Sequence, residues 1–579
     1  MKKIIAIISI FAVVACEGFL DKFPPGSLSS DSMFADASLA ESVVTGVYSN
    51  ILYDYTNPDL KYNWDAFGSV LDPYSTISSS YSLLMGTSTA NESIYLTYWK
   101  RFYEGVNRAN DVIANISKVP DMSDELKAQR IAECKVLRAW HYYRLNALYR
   151  GVPIYLENLS PSEYTKHRST EEQVWRQVIA DCTDAIECDH LPGKYSSSDK
   201  DFGRMTKGVA YTMRGKAYMW LKEWELAEAD FVEVGKLGYA LYQGKYADLF
   251  TEANEKCDEM IFSVQMVEQE DHGNALSFLY GNATTTGNGF NHFFGNVDFV
   301  NSYQNKNGKP FSWDDYIPGY DNMDPASRSV YFLRDNLTAE EVSELSASGA
   351  AMSEYKVSGN EDRIKAAYQD RDPRLAATFI TPYSTYVGGS TGTETTYTMR
   401  YPFRSLDAGD LQSSEPTKMY YQIRKFVTVG KKYSNINYNP VDIPVFRYAD
   451  VLLCLAEAIN EQGGRMSEAI DKVNMVRSRA GVAGLNTNTA TSVIDMDDLR
   501  SRIQDEKKWE LACEMVLYYD ELRWGTWKDD KFAQDNGLQQ LWGEPTYRYV
   551  WGGDHCYLWA IPVSEREKNP SLTQNPLWN

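Results

Sequence analysis

Histidine is scarce in this chain, with only six among 579 residues, and no two of them form an HxH or HExxH pattern. The eight cysteines include no CxxC pair. Transition metals are usually held by closely spaced residues of these two types, so we expect neither a metal nor a cofactor. In a chain long enough to bury a core, cysteines after Cys16 are predicted to be mostly buried free thiols.

A basic surface is missing as well. The formal net charge is −21, and no long run of Lys and Arg interrupts this acidic balance. Proteins that bind nucleic acids neutralise phosphates with clustered basic residues, so the charge argues against a nucleic-acid partner. Aromatic residues, in contrast, make up 13% of the chain and are mostly tyrosine. Many such rings belong to a core, but exposed ones suit the binding of sugars.

Apolar runs long enough to span a bilayer are absent, and the N-terminus carries a shorter one. Residues 1–15 combine Lys2-Lys3 with an apolar run, which predicts a secretory signal. Val13-Val14-Ala15-Cys16 matches a bacterial lipobox, in which the cysteine is acylated. Acyl chains contribute ~0.8 kcal/mol per buried CH₂, so several chains anchor firmly. We predict lipidation at Cys16; the alternative is an ordinary secretory signal followed by an incidental cysteine.

Two helical segments follow each other between Phe446 and Trp524. Apolar residues recur at three and four positions, as on one buried helix face, and Gly463-Gly464 separates the two segments. A similar pair at 209–240 fits the tetratricopeptide pattern, and a looser copy begins at Leu137. The positions that match in the 209–240 pair are Tyr211, Gly215, Tyr218, Ala227 and Phe231. The alternative is an ordinary antiparallel helical bundle.

Helix starts and core rings can also be predicted locally. Capping boxes at Ser38–Glu41 and Thr170–Gln173 predict two helix N-termini. Four tryptophans lie on helical stripes and are assigned to the core, namely Trp99, Trp140, Trp220 and Trp224.

Helical periodicity is largely lost between 261 and 445, where Gly, Asn and aromatic residues surround short strand-like segments. Long non-periodic stretches inside a globular chain are usually functional or inserted loops. The predicted fold class is therefore mostly α, a tetratricopeptide-like helical-repeat scaffold with a loop-rich variable region that carries short strands. The predicted divisions are a signal at 1–15, a helical-repeat region at 16–260, the variable region at 261–445, and a helical pair and tail at 446–579.

Short motifs extend over nearly the whole mature sequence. They are Cys16 with Phe19-Leu20-Asp21 and Pro24, Arg108-Ala109-Asn110, the block 133–155, Arg371–Leu375, Phe446–Leu453, Ala456-Glu457-Ala458, Asn474, Arg477–Gly481, Glu510-Leu511-Ala512, Arg523-Trp524-Gly525, Ile561-Pro562, Glu565, Asn569-Pro570, Leu572 and Gln574-Asn575. With these motifs the chain resembles the RagB/SusD family of surface lipoproteins. Lys507 departs from a usual Arg of that family, while Leu517 and Glu521 stand where Arg and Leu are common.

This resemblance implies about four tetratricopeptide-like helix pairs packed against variable loops. It also implies a lipid-anchored protein on the outer surface of the outer membrane. The implied function is non-catalytic binding of an oligosaccharide nutrient and its delivery to a TonB-dependent, SusC-like transporter, over which the lipoprotein sits as a lid. Some members of the family take peptides, so a peptide- or glycoprotein-binding role stays open.

Two loop regions, 62–95 and 288–320, supply the rings and polar side chains that a sugar site needs. The candidates for stacking on sugar faces are Trp64, Tyr74, Tyr81 and Trp313, with Tyr316 as a further ring. Asn91 and Asn291 are candidates for hydrogen bonds to sugar hydroxyls. His292 is a further ligand-binding candidate, as a hydrogen-bonding loop residue rather than a catalyst. For each ring the alternative is packing under a long loop.

An enzyme and a protein–protein scaffold are the rival interpretations. Gly388–Gly392 matches GxSxG, but the following sequence does not start a helix and only His555 lies downstream as a base. Paired carboxylates of a surface glycoside hydrolase stay possible because acidic residues are plentiful. Asp314-Asp315 and Asp321 with Asp324 could hold Ca²⁺, although surface acids are the simpler interpretation. A pure scaffold would need no cluster of exposed rings.

Overall fold

The computed structural model describes residues 30–51, 66–77, 81–269, 272–281, 289, 291–388, 394–411, 418–428, 437–533 and 537–578. Helices dominate this part of the chain, which confirms the predicted fold class. Their bounds are α1 Ser30–Met33, α2 Ala37–Tyr48, α3 Ala66–Leu71, α4 Ser93–Asn115, α5 Asp124–Tyr149, α6 Glu171–Glu187, α7 Lys207–Trp220, α8 Trp224–Lys236, α9 Leu276–Tyr280, α10 Val297–Ser302, α11 Pro325–Ser329, α12 Ala339–Ala347, α13 Asn360–Gln369, α14 Pro373–Thr378, α15 Tyr448–Gln462, α16 Met466–Ala480, α17 Met496–Leu511, α18 Leu517–Trp524, α19 Trp527–Lys531 and α20 Val563–Lys568.

The long helices pack as successive neighbours. From α4 to α8 each helix contacts the next, and α8 then packs against α15, which follows more than 200 residues later in the chain. α15 also contacts α16 and α17. The two helix pairs predicted at 209–240 and 446–480 are thus α7–α8 and α15–α16, and both belong to one continuous stack.

Close approach within the α7–α8 pair depends on one small residue. A Cβ built on Gly215 would lie 2.6 Å from Cε1 of Phe231, so any side chain would collide with that ring. Phe231 is 1% exposed. The small and aromatic positions of the tetratricopeptide pattern therefore have the physical role expected of them, in which the ring fills the space that the glycine leaves.

One of the two predicted capping boxes is correct. Thr170 caps α6 and exchanges hydrogen bonds with Gln173. The box predicted at Ser38 is wrong, because the carboxylate of Asp36 accepts from the backbone N–H of Leu39 and α2 starts one residue before Ser38. An Asp is as good a cap as a Ser, so two overlapping signals competed for one helix start.

Strands are short and form small sheets. The largest has the order β1–β3–β7–β4, all antiparallel, and three two-stranded sheets pair β2 with β8, β5 with β6 and β9 with β10. Their bounds are β1 Ser75–Ile77, β2 Met260–Val264, β3 Phe293–Gly295, β4 Phe379–Ile380, β5 Thr385–Gly388, β6 Thr395–Thr398, β7 Tyr421–Ile423, β8 Ile443–Arg447, β9 Gly537–Gln539 and β10 Pro545–Arg548.

One hydrophobic cluster extends from Phe34 to Trp578 and contains both the helical and the loop-rich parts. The predicted divisions near 260 and 445 stay predictions, since the core crosses both positions. Trp99 and Trp140 are buried as predicted, whereas Trp220 and Trp224 are half-buried. All seven cysteines of the described residues are free thiols, and five are buried. Among the described helices, none combines the length and apolar character needed to cross a bilayer.

The buried carboxyl of Glu521 destabilises this core by an amount that depends on pH. Its carboxyl is fully buried, and burial together with the nearby charge of Asp530 raises its pKa well above the usual range. When the pKa of a carboxyl is higher in the folded state than in the unfolded state, the folded state loses stability as pH rises. The loss begins at the unfolded-state pKa, about 4.3 for Glu. The resemblance to the family places a Leu at this position, which would carry no such penalty.

We therefore expect Glu521→Leu to raise the free energy of unfolding by about 1–2 kcal/mol at pH 8, and by less at pH 4.5. Asp530 keeps its partner in the variant, because Lys508 Nζ lies 2.7 Å from its carboxylate. Urea unfolding at the two pH values measures the difference. Glu344→Leu, at an exposed position of α12, serves as the control without a pH-dependent gain. A gain from Glu521→Leu that is the same at both pH values would contradict the prediction.

Candidate functional site

Two of the predicted loop regions meet at one end of the four-stranded sheet. Because β1 and β3 are antiparallel with Ile77 opposite Phe293, the C-terminal end of β1 and the N-terminal end of β3 lie side by side. The C-terminal hairpin β9–β10 joins them. The backbone N–H of Ile77 donates to the hydroxyl of Tyr549 at 3.2 Å, and the N–H of Val550 donates to the carbonyl of Leu84 at 2.8 Å.

This meeting point carries a group of exposed apolar side chains. Tyr547 is 38% exposed and Val550 is 50% exposed. Trp551 and Tyr81 are half-buried, and Asn91 is exposed at the end of the 81–92 segment. We call these five residues the hairpin surface. Val550 rests directly on the 81–92 segment, since a Cβ built on Gly86 would lie 3.0 Å from its Cγ1 atom.

The rings of the hairpin surface rest on a rigid base. Trp551 packs against Phe532 and Tyr557, with ring centroids 5.0 and 5.2 Å away. Under β10, the hydroxyls of Thr546 and Tyr420 are 2.8 Å apart, and Tyr420 packs on Phe294 at 4.7 Å. A ring held in this way loses little conformational entropy when a ligand stacks on it, which would favour binding at Trp551.

Tyr74 does not belong to this surface. Its ring is 0% exposed, it meets Phe299 edge to face at 6.3 Å, and its hydroxyl is 3.2 Å from that of Tyr280. Burial also raises the pKa of Tyr74 well above its usual value. Stacking on a sugar needs a free ring face, so the prediction that Tyr74 binds ligand is corrected to a role in the core.

Trp313 is likewise a core residue. It is 4% exposed and is surrounded by the rings of Phe311, Tyr320, Phe332 and Tyr368, with centroids 5.1 to 5.9 Å away. For each loop ring, packing beneath the loop was the alternative to ligand binding, and Trp313 is packed in this way. The prediction that Trp313 stacks on a ligand is therefore corrected as well.

Tyr316 keeps a partly free ring beside this cluster. It is half-buried and stacks on Phe311 at 6.0 Å, and the guanidinium of Arg371 lies 3.6 Å from the centre of the Phe311 ring. Nearby in the same loop region, the backbone N–H of Lys306 donates to the carbonyl of Asp370. The N–H of Ala483, just after α16, donates to the carbonyl of Lys306. None of these contacts involves a residue of the hairpin surface.

Asn291 and His292 lie at the entry to β3, next to the hairpin surface. Asn291 is 8% exposed, and its side-chain amide has no hydrogen-bond partner among the described residues. Burial lowers the pKa of His292 to about 4, so the imidazole is neutral at physiological pH. Asn291 as a hydrogen-bonding residue stays a prediction, and its free amide is compatible with that role.

Other predicted positions have simpler outcomes. Trp64 and Cys16 lie outside the described residues, as does most of the GxSxG motif after Gly388. Two of the four carboxylates suggested for Ca²⁺ have other partners, since Asp315 pairs with Lys309 at 2.6 Å and Asp324 caps α11. Within the ranges that the structure describes, no group of three His, Cys, Asp or Glu residues is placed to hold a metal ion.

Sequence reasoning missed three members of the hairpin surface, namely Tyr547, Val550 and Trp551. They lie within the predicted division at 446–579, the helical pair and tail, in which no ligand residue was predicted. A local signal was present in TYRYVWGG, where aromatic residues are followed by two glycines as in an exposed hairpin.

Comparison with known proteins gives a consistent result over the whole chain. A family model described as "SusD family" matches residues 258–578, and one described as "Starch-binding associating with outer membrane" matches residues 18–219. SusD-like protein P25 of Formosa agariphila is 25% identical over 100% of this chain and 98% of its own length. The starch-binding protein SusD of Bacteroides thetaiotaomicron is 23% identical over 79% of this chain and 75% of its own. A SusD-like carbohydrate-binding protein of Bacteroides fragilis shares the fold with a TM-score of 0.72 at 23% identity, covering 94% of this chain and 100% of that one.

Proposed function

This chain belongs to the SusD family, and from that premise we propose that it binds an oligosaccharide at the cell surface without cleaving it and delivers it to a TonB-dependent outer-membrane transporter. The observation that carries the proposal is the hairpin surface, which has the exposed ring of Tyr547, the half-buried rings of Trp551 and Tyr81, and the exposed amide of Asn91. Sugar rings present weakly polar C–H faces and many hydroxyls, which match aromatic faces and amides.

Two relatives support this ligand class by their names, one a starch-binding protein and one a carbohydrate-binding protein. A lipid anchor at Cys16 would hold the protein at the outer membrane. The helical stack would then be the face for the transporter, and the rings of the hairpin surface would hold the sugar until transfer. Binding with release of the intact ligand requires no acid–base pair, and the hairpin surface supplies rings and an amide instead.

Tyr547→Ala is expected to weaken oligosaccharide binding about two- to twelvefold, because a well-placed aromatic contact contributes about 0.5–1.5 kcal/mol. Its ring is exposed, so removal leaves the core intact. Calorimetric titration with neutral oligosaccharides and, separately, with peptides measures the affinity. Tyr211→Ala is the matched control, since that half-buried tyrosine lies on α7 in the scaffold.

Chromatography of the same mixtures tests for cleavage. Release of shorter sugars by the purified protein alone would contradict a non-catalytic function. Tight binding of peptides, with no binding of any oligosaccharide, would show that the ligand is a peptide and not a sugar. Equal loss of affinity in Tyr547→Ala and Tyr211→Ala would show that the hairpin surface is not the binding site.

A further inference from the structure

A cavity of about 540 Å³ lies beside α4, and none of the residues of the hairpin surface lines it. It is bounded by residues 99–108 of α4, by the loop at 153–165, and by α20 with the tail as far as Leu572. Sites for small molecules typically measure about 300–1,000 Å³ and combine apolar walls with a few fixed polar groups, so the cavity has a suitable size.

A row of four rings forms one wall of this cavity. The ring centroids of Trp99 and Tyr103 are 5.0 Å apart, those of Tyr103 and Tyr155 are 6.2 Å apart, and those of Tyr155 and Tyr164 are 4.9 Å apart. Tyr103 and Tyr164 are half-buried, so part of each meets solvent, whereas Trp99 and Tyr155 are buried against them. Partly exposed rings that other rings hold in place can cover the weakly polar C–H face of a sugar.

Lys100 brings a positive charge to the cavity. It is exposed, and no carboxylate of the described residues forms an ion pair with it. Glu104, one helical turn later, is paired with Arg101 at 3.5 Å and with Arg108 at 2.6 Å instead. The ammonium group of Lys100 is therefore available to a ligand.

The other charges around the cavity do not offset Lys100. Glu565, the second carboxylate in the lining, pairs with Lys568 at 2.7 Å. Lys166 adds a further cation, because its Nζ atom lies 5.2 Å from the centre of the Tyr155 ring and donates to the carbonyl of Ile154 at 3.0 Å. Cations thus outnumber acids here, although the formal net charge of the chain is −21.

Asn107 adds a neutral donor to the same cavity. Its Oδ1 atom accepts from the hydroxyl of Tyr164 at 3.4 Å, while its Nδ2 atom donates to none of the described residues. The side chain is half-buried. The polar groups left for a ligand are therefore an amide N–H and an ammonium, both donors. Hydrogen bonds from such donors to an anion are roughly twice as strong as those to a neutral acceptor.

One side of α4 connects the cavity with the hairpin surface. Residues at three- and four-residue intervals lie on the same side of a helix. Helix α4 begins two residues after Asn91, which belongs to the hairpin surface. A chain bound at that surface can therefore continue along this side of α4 into the cavity. The residues of this stripe, all exposed or half-buried, are Ser93, Leu96, Lys100, Tyr103 and Asn107.

From these observations we infer that the cavity between α4, the 153–165 loop and the C-terminal tail binds an anionic sugar unit, carboxylated or sulfated, of the oligosaccharide held at the hairpin surface. Lys100 and the amide of Asn107 bond the anionic group, and the rings of Tyr103 and Tyr164 cover the sugar face. The inference rests on the proposed function for the carbohydrate class and adds the charge of the ligand. Contact at two points on one chain raises avidity.

Lys100→Gln removes the charge and keeps most of the side-chain length. Affinity for an anionic oligosaccharide is expected to fall about two- to fivefold, the effect of an exposed ion pair, with no change for a neutral one. Asn107→Asp keeps the acceptor for Tyr164 and replaces the donor with a negative charge, so the loss should reach about tenfold or more. Lys356→Gln is the matched control, because this lysine is also exposed and without an ion pair among the described residues, and it lies between α12 and α13.

The probes are oligogalacturonides, sulfated galactose oligosaccharides, neutral oligosaccharides of galactose and glucose of equal length, and an oligoglutamate peptide. Each is titrated by calorimetry into the full mature chain at low and at high salt. Anionic sugars are expected to bind more tightly than neutral ones at low salt and to lose this advantage at high salt, because ions screen the attraction. Comparison of the carboxylated with the sulfated sugars shows which anionic group the cavity takes.

The outcomes separate this inference from the proposed function. Neutral sugars that bind as tightly as anionic ones, with a loss in Tyr547→Ala and none in Lys100→Gln or Asn107→Asp, would overturn the inference and leave the proposed function standing. Equal losses for an anionic sugar in Lys100→Gln and Lys356→Gln would likewise overturn only the site. Binding of the acidic peptide but of no sugar would overturn both, as would the absence of all binding.

Discussion

Replacing Arg447 with methionine is expected to lower the free energy of unfolding by about 3–5 kcal/mol, the cost of removing one partner from a buried ion pair. Arg447 is 1% exposed and stands among three carboxylates. Its guanidinium lies 2.5 Å from Glu259, 3.0 Å from Glu510 and 2.7 Å from Glu514. Without it, the three buried carboxylates would be left to fewer cations, namely Arg479, Arg374 and Lys425.

The network around Arg447 joins distant parts of the chain, which is why its loss should affect the whole fold. Arg374 contacts Glu510 at 3.0 Å and Glu506 at 2.7 Å, and Glu506 in turn pairs with Arg477 at 2.7 Å. The cations around Glu510 outweigh its burial and lower its pKa to about 2. Glu510 is therefore ionised at neutral pH, and its contribution to stability is lost only as pH falls from about 4.3 toward 2.

Urea unfolding at pH 7 with helical circular dichroism measures the effect. Arg500→Met is the matched control, because Arg500 pairs with Glu461 and Asp497 at the surface, where ion pairs contribute about 0–1 kcal/mol. Arg447→Met combined with Glu259→Gln should recover part of the loss by removing one negative charge, since Arg479 keeps Glu510 as its partner. Equal, small losses for Arg447→Met and Arg500→Met would refute the role of the buried network.

Helical parts of this fold were predictable because their signals are local. Gly215 and Phe231 are sixteen residues apart in sequence, and the short turn between α7 and α8 brings them into contact. Gly463 and Gly464 both adopt positive φ between α15 and α16, at the position where the sequence predicts a break. Periodicity and turn residues carry this information without reference to the rest of the chain.

The candidate site was less predictable, because exposure of a loop ring depends on what covers it. Tyr74 and Tyr81 lie seven residues apart in similar sequence, yet the first is in the core and the second is half-exposed. Val550 belongs to the site only because Leu84, 466 residues earlier, bonds its backbone. Buried charges were hidden for the same reason, since Arg447 and Glu510 look like surface residues until the tertiary contacts are known.

Gly105→Ala is the second substitution with a large expected effect, and it tests the contact between α4 and α5. A Cβ built on Gly105 overlaps the imidazole of His141. His141 is 0% exposed, and burial lowers its pKa to about 3, so a neutral ring is held in a closed space. Overpacking of this kind costs about 3 kcal/mol at its upper range. Alanine also favours the helix over glycine by about 1 kcal/mol, which leaves a net loss of about 2 kcal/mol.

The two contributions can be separated because only one of them involves His141. In a His141→Ala background the ring is gone, so Gly105→Ala should lose its steric cost and keep its helix gain. The sign of the substitution should then reverse, from a loss of about 2 kcal/mol to a gain of up to about 1 kcal/mol. A double-mutant cycle in urea would measure a coupling of about 3 kcal/mol between the positions. If Gly105→Ala costs the same in both backgrounds, the overlap with His141 is not what requires a glycine at the centre of α4.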